Sequence, residues 1–217
     1  AWLSVNVDGK DILIDPTWGA GYVKGDTFVR NDHDMSWFDI DPYWLIFTHF
    51  PTHKDEQFIA EPIKWKDFLR LPSLYPSSTE YGWDGREMFT QILDGSIQSL
   101  PQIFEQYSRF VGFPEIPMQG VLQPGKYYTF TLKKKQANEI ILIHGNEFIH
   151  EADWQQDGDQ YTLKFMPISG GTLSLGIAQK TDIGRTYSTV VLYEVSSPTS
   201  ADLKNIEKYT PLRMPEV

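Results

Sequence analysis

The chain has 217 residues, of which 41% are hydrophobic and 22% charged, an ordinary globular balance for one large domain or two small ones. A formal net charge of -10 with a single short basic run, residues 133–135, argues against nucleic acid as a partner. The chain has no cysteine, which excludes disulfides, thiolate zinc sites and a cysteine nucleophile of its own. No apolar stretch reaches the roughly 18 residues that a membrane span requires, so no span is predicted.

Alternating apolar and polar residues predict a β-hairpin at the start of the sequence. Its strands are predicted over residues 2–7 and 12–15, and Asp8-Gly9 suits the positive φ angles of the tight turn between them. An acid-rich loop is predicted to follow over residues 23–41. The next predicted elements are an aromatic strand over 43–50 that stops at Pro51, and amphipathic helices over 62–71, 86–93 and 100–110.

After residue 112 the pattern changes to short runs with a period of two. Turn residues such as Gly145-Asn146 and Gly170-Gly171 separate these runs, and no helical pattern lies between them. This arrangement predicts an immunoglobulin-like β-sandwich over 113–197, after a first domain over 1–112 and before a C-terminal tail over 198–217 that contains a helix at 200–209. The predicted strands are 127–132, 139–143, 147–150, 161–165, 172–177 and 189–195.

The stretch WLSVNVDGKDILIDPTWGAGYV resembles the core of the transglutaminase-like superfamily. Members carry a His-Ala-Trp segment, a strand, a DGK-type turn, and then Asp followed by Thr-Trp-Gly. DPYWLIFTHFPTHKDEQFI followed by IKWKDFLRLPSLYPSS is similar to the branch related to the kyphoscoliosis peptidase. The resemblance covers about the first 76 residues and implies an α+β fold: a partial transglutaminase-like, papain-like core of strands and short helices, before the β-sandwich.

In this superfamily the His and the Asp belong to a Cys-His-Asp triad. The resemblance implies that Asp15 is the triad carboxylate and that Trp2 and Trp18 line the substrate site. Ala1-Trp2 would be the last two letters of the His-Ala-Trp segment, so we expect the chain to be the C-terminal part of a longer protein that begins just after the catalytic His. Hairpin pairing would make that position a cross-strand neighbour of Asp15. The alternative is that an Asp before Pro-Thr merely caps a turn.

Other polar candidates have simpler explanations. The acidic loop could supply oxygen ligands to a hard cation, but its spacing matches no calcium loop, so a solvated loop is predicted. The flanking pair His49 and His53 could suggest a metal site, but His49 is assigned to a strand and to packing, and His144 and His150 are predicted at the surface or at sheet edges. No metal and no cofactor are predicted. The residues of the acidic loop are Asp32, His33, Asp34, Asp39 and Asp41.

Two functions remain open. In the first, the parent is a thiol peptidase or acyltransferase, its substrate is a protein or peptide, and this chain is inactive alone because it lacks the Cys and the His. A missing N-terminal half, or another protein chain, would then cover the apolar face of the hairpin. In the second, a degenerate transglutaminase fold binds glycan or protein without catalysis. Localisation is left open, with a secreted or cell-surface protein as the working hypothesis. The aromatic residues named for the binding function are Tyr127, Tyr128, Trp154 and Tyr187.

Overall fold

The computed structural model describes residues 2–31, 35–181 and 184–209. The fold is α+β, with β structure predominant. Contacts divide the chain into two compact units, Ala1–Thr79 with Asp84–Ser96, and Glu80–Trp83 with Ile97–Val217. The main boundary between the two units falls between residues 96 and 97. The domain limits 1–112, 113–197 and 198–217 stay a prediction.

The predicted hairpin at the start of the chain is confirmed. Strands β1, Leu3–Val7, and β2, Lys10–Ile14, pair antiparallel. The turn residues Asp8 and Gly9 have φ angles of 51° and 85°, a conformation that Gly adopts at little cost. Leu13 of β2 is buried, whereas all of β1 is exposed in the part of the chain that is described.

The acid-rich segment is more ordered than a loop. Strands β3, Gly21–Lys24, and β4, Thr27–Arg30, form a second hairpin within it. Gly25 turns the chain between them with a φ of 62°. Polar residues on both strands hid this hairpin, because the pattern lacks the apolar alternation of a half-buried strand.

The predicted aromatic strand over 43–50 is wrong, because that segment begins with a helix. Asp41 caps helix α2, Pro42–Leu45, by accepting the backbone N–H of Tyr43 at 2.7 Å. Trp44, Leu45, Ile46 and Phe47 are all buried, and a continuous apolar run does not distinguish a buried strand from a buried helix. The chain then turns through Thr48 and His49, whose backbone N–H groups both donate to the carbonyl of Leu45.

Of the three helices predicted next, two form. The first is shorter than predicted, and the second starts at Asp84, which accepts the backbone N–H of Glu87 at 2.8 Å. The helix predicted over 100–110 is wrong: Gln102–Ile103 is a strand, because it pairs with the C-terminal sheet opposite Val191 and Leu192. The remaining elements of this region are the helices α3 (Trp65–Phe68) and α4 (Gly85–Leu93) and the strand β5 (Gln102–Ile103).

The second unit contains two sheets, and all six predicted strands of this region are confirmed. One sheet has the order β10-β9-β13-β14-β5 with β7 on β14, and the other has the order β11-β12-β8-β6. Phe130 and Tyr193 come from different sheets, are both buried, and have ring centroids 5.8 Å apart, so the sheets pack face to face. The strands are β6 (Val111–Glu115), β7 (Val121–Leu122), β8 (Tyr128–Lys134), β9 (Glu139–His144), β10 (Glu147–His150), β11 (Gln155–Asp157), β12 (Gln160–Phe165), β13 (Gly171–Thr181) and β14 (Gly184–Val195).

Two histidines of this unit differ in environment. His150 is exposed and contacts Glu139, as a surface residue should. His144 was predicted at the surface or a sheet edge but is 4% exposed, and its nitrogens lie 3.0 and 3.1 Å from the carbonyl oxygens of Thr172 and Ser169. The predicted helix at 200–209 is confirmed as α5, Ser200–Tyr209, and residues 210–217 lie outside the described residues.

Candidate functional site

Asp15 joins the first hairpin to a short helix, α1, Pro16–Ala20. Its Oδ1 accepts the backbone N–H groups of Thr17 and Trp18 at 2.8 and 2.9 Å. These donors would otherwise be unpaired at a helix start, and Pro16 needs no partner there. Asp15 therefore does cap a turn, as the simpler alternative holds, but only one of its two carboxylate oxygens is used for this.

The second oxygen of Asp15 faces an imidazole. Oδ2 lies 2.9 Å from Nε2 of His49, and the Asp15 side chain is fully buried. Among the described residues no donor meets ordinary hydrogen-bond geometry at Oδ2, so its contact with His49 is a close approach and not an aligned hydrogen bond. A buried carboxylate oxygen is costly without a donor, so the charge on Asp15 assigns the imidazole proton to Nε2.

His49 is held from its other side by the preceding residue. Its Nδ1 lies 2.8 Å from Oγ1 of Thr48. With the proton on Nε2, Nδ1 carries the lone pair and accepts the hydroxyl proton of Thr48. The result is a chain of carboxylate, imidazole and hydroxyl, in which the nitrogen able to take up a proton points away from Asp15.

The protonation of His49 follows from its surroundings. Its side chain is 14% exposed. Burial lowers the pKa of His49 below its ordinary value, and this effect outweighs the opposing influence of the Asp15 charge and hydrogen bond. The imidazole is therefore neutral at neutral pH, which is the form that can act as a general base.

Two tryptophan rings lie beside the imidazole, and a tyrosine ring packs against both tryptophans. The backbone carbonyl of Trp37 accepts the N–H of Asp15 at 3.0 Å, which brings this residue of the acid-rich segment alongside β2. Trp18 lies 4.9 Å from the His49 ring and 4.8 Å from Trp37, edge to face. Tyr75 completes the cluster at 5.9 Å from Trp18 and 6.1 Å from Trp37. Edge-to-face pairs at these separations stabilise one another beyond the burial of their surface.

Of the residues singled out in the sequence, the structure brings some together and not others. Asp15 and Trp18 meet at the site. Trp2 is half-buried ahead of β1, and no ring contact between it and the cluster is found among the described residues. The site also contains four residues that the sequence pattern did not predict there: His49, Thr48, Trp37 and Tyr75. The available signal was the Thr-His-Phe-Pro motif, but assigning it to a strand gave His49 the wrong orientation.

The acidic loop does not form a metal centre in the part that is described. Asp39 pairs with Lys10, and Asp41 caps α2. Asp32, His33 and Asp34 lie outside the described residues. Across residues 2–31, 35–181 and 184–209, no group of three or more His, Asp or Glu side chains is placed to hold a metal ion.

The aromatic residues proposed for a binding surface are not equivalent. Trp154 is 6% exposed and belongs to the core, so it is not a surface residue. Tyr128 is half-buried, with its hydroxyl accepting the N–H of Gln123 at 2.8 Å. Tyr127 and Tyr187 are each 44% exposed.

Comparison with known proteins finds no family model and no curated protein that matches this chain. Among the helices that the structure describes, none has the length and apolar character needed to cross a bilayer.

Proposed function

We propose that the Asp15–His49 pair is the acid–base part of an acyl-transfer site in a transglutaminase-like protein of the Cys-His-Asp class. Within this proposal the chain carries a partial transglutaminase-like core before an immunoglobulin-like sandwich. The observation that carries it is the 2.9 Å contact between Asp15 Oδ2 and His49 Nε2 in a buried setting. The resemblance of the Asp-Pro-Thr-Trp-Gly and Thr-His-Phe-Pro segments supports it, since each supplies one member of this pair.

The chemistry follows from the placement of the protons. When the Thr48 hydroxyl turns to donate to the Leu45 carbonyl, which lies 3.3 Å from its Oγ1, the lone pair of His49 Nδ1 is free. Nδ1 then takes the proton of a thiol, and the thiolate attacks an amide carbonyl of the substrate. Asp15 keeps the Nε2 proton in place and stabilises the imidazolium that forms. Nδ1 then returns its proton to the departing amine, which leaves an acyl thioester. Water or a second amine attacks that thioester, and the thiol is regenerated.

The thiol comes from outside these 217 residues, since the chain has no cysteine. In the proposal it belongs to the N-terminal half of the same protein or to another chain. The resemblance also places an imidazole just ahead of Ala1, whereas the imidazole beside Asp15 in the structure is His49. We assign the proton-transfer role to His49 because its neutral form and its distance from Asp15 suit that role.

The test uses the intact parent protein and an amide or glutamine substrate. His49→Gln should reduce turnover by about 10²–10⁴-fold, the usual range for losing a general base. His53→Gln, which changes an exposed histidine close by in sequence, should leave turnover unchanged. Unchanged turnover in His49→Gln would exclude His49, and absence of turnover in the parent itself would favour the glycan- or protein-binding alternative.

A further inference from the structure

A small cavity in the first unit opens beside the Asp15–His49 pair. Its volume is about 200 Å³. Pockets that bind drug-sized ligands measure about 300–1,000 Å³, so this smaller cavity suits a single side chain. It is lined by Trp18, Phe47, Thr48, Phe68, Leu69, Leu71, Ser73 and Tyr75.

The lining selects against charge. Six of the eight lining residues are apolar or aromatic, and the other two, Thr48 and Ser73, offer only neutral hydroxyls. A charged group placed there would lose its hydration without gaining an opposite charge, at a cost of several kcal/mol. An apolar side chain would instead gain free energy in proportion to the apolar area removed from water.

Two residues of the lining also belong to the pair's surroundings. Thr48 lines the cavity and holds Nδ1 of His49 with its hydroxyl at 2.8 Å. Trp18 lines the cavity, donates its backbone N–H to Asp15, and places its ring 4.9 Å from the imidazole. A side chain in the cavity would therefore hold its own main chain close to the nitrogen that takes up the proton.

Three large apolar or aromatic side chains of the lining are exposed. Trp18, Leu69 and Tyr75 are 38%, 65% and 48% exposed. Large apolar side chains that are exposed together often mark a binding site.

We propose that this cavity binds an aromatic or branched aliphatic side chain of a peptide substrate, next to the amide that reacts. The proposal rests on the proposed function for the reaction, but the binding step is measurable without it. We take the occupant to be a peptide side chain because Thr48 and Trp18 line the cavity and also contact His49 and Asp15. In the proposed function that pair acts on a peptide amide.

The experiment titrates the 217-residue chain with N-acetyl amino-acid amides and follows the indole N–H of Trp18 by NMR. The amides of Phe and Leu should shift that resonance, with a Kd of about 1 mM as expected for ligands of this size. The amides of Lys and Glu, with the same backbone, should bind at least 10-fold more weakly. Equal binding of all four, or no shift with any of them, would overturn the proposal.

A pair of variants locates the binding. Leu69→Glu places a charge at the rim and should weaken binding of the Phe amide by at least 10-fold; Leu69 is 65% exposed, so the fold should tolerate the change. Val23→Glu changes a residue that is 68% exposed and outside the lining, and should leave binding unchanged. Self-association of the chain that the Leu69 variant abolishes, without amide binding, would instead identify a second copy as the occupant. Binding of the Phe amide to the chain, together with absence of turnover in the intact parent, would show that the proposed reaction fails while this site stands.

Discussion

Asp15 and His49 approach to 2.9 Å although one precedes the short helix α1 and the other follows the short helix α2. Asp15 begins α1, and His49 lies in the turn that follows α2. The same carboxylate caps a helix with Oδ1 and faces the imidazole with Oδ2. Variants at this position can therefore separate a structural role from a chemical one.

Asp15→Asn should separate the two roles. The amide oxygen of Asn caps a helix as well as Asp does, so the free energy of unfolding should change little through the cap. The amide NH₂ facing Nε2 would force the imidazole proton onto Nδ1, the wrong tautomer. Nitrogen NMR should show this switch, and turnover of the intact parent should fall by several orders of magnitude, as the same change costs about 10⁴ in serine proteases.

Asp15→Ala is the matching control, because it removes both roles. Loss of the cap alone should cost about 0.5–2 kcal/mol in urea unfolding. If Asn at this position leaves parent turnover near normal, the catalytic assignment of Asp15 is wrong and capping is its whole role.

The pKa of His49 should lie below the ordinary value of about 6.5, because burial disfavours the charged ring. Asp15→Asn should lower it further, since the Asp15 charge opposes the effect of burial. NMR titration of the ring in both proteins measures the two values. A value above 6.5 in the unaltered chain would contradict the neutral-base assignment.

The lowered pKa also sets the direction of a stability effect. Between the His49 pKa of the folded chain and about pH 6.5, the unfolded chain binds a proton at His49 more readily than the folded chain does. The contribution of neutral His49 to the free energy of unfolding is therefore fully present above about pH 6.5 and is lost as the pH falls through the pKa of the folded chain. Urea unfolding at several pH values should show a shallower loss below pH 6.5 in His49→Gln than in the unaltered chain. Parallel curves would show that His49 titrates alike in both states.

Thr48→Val should cost about 0.5–1.5 kcal/mol of unfolding free energy, because the hydroxyl bonded to Nδ1 is replaced by a methyl group of the same shape. Thr48→Ser keeps the hydroxyl and should recover most of that cost. Thr52→Val, at an exposed threonine nearby, serves as the control for the change of side chain itself. Equal losses in the Val and Ser variants would show that the methyl group, and not the hydroxyl, matters at this position.

The second unit should fold on its own only when its edge strands are included. We predict from the sequence that residues 116–196 form an independent all-β fold, but β6 pairs with β8 and contributes the buried Val111 and Phe113. Each such side chain is worth about 1.5–3 kcal/mol. A segment of residues 80–209 should therefore melt cooperatively at a higher temperature than one of 116–196, as measured by circular dichroism.

The isolated chain should show no peptidase or transglutaminase turnover. His49 supplies an imidazole beside Asp15, but the chain has no cysteine and therefore no thiol to attack an amide. Hydrolysis of a peptide amide by the purified 217-residue chain, lost in His49→Gln, would contradict it.

Local signals determined a large part of this fold. Asp8-Gly9 dictates the first hairpin because the turn needs positive φ at both residues, and Asp84 starts α4 because its side chain supplies a missing acceptor. The short period-two runs of the second unit were also sufficient to predict its main strands. Each of these signals acts within a few residues, so the sequence carries it without reference to the rest of the chain.

Tertiary contacts decided what remained. Ile46 and Phe47 are buried on all sides, so their pattern has no period that separates helix from strand. Ile103 is a strand residue because Val191 offers it a sheet edge, against its local helical pattern. The meeting of Asp15 and His49 depends on the turn after α2, and no spacing rule links an aspartate to a histidine in a separate element. Only the folded chain brings the carboxylate, the imidazole and the apolar cavity to one place, because packing between distant segments creates that site.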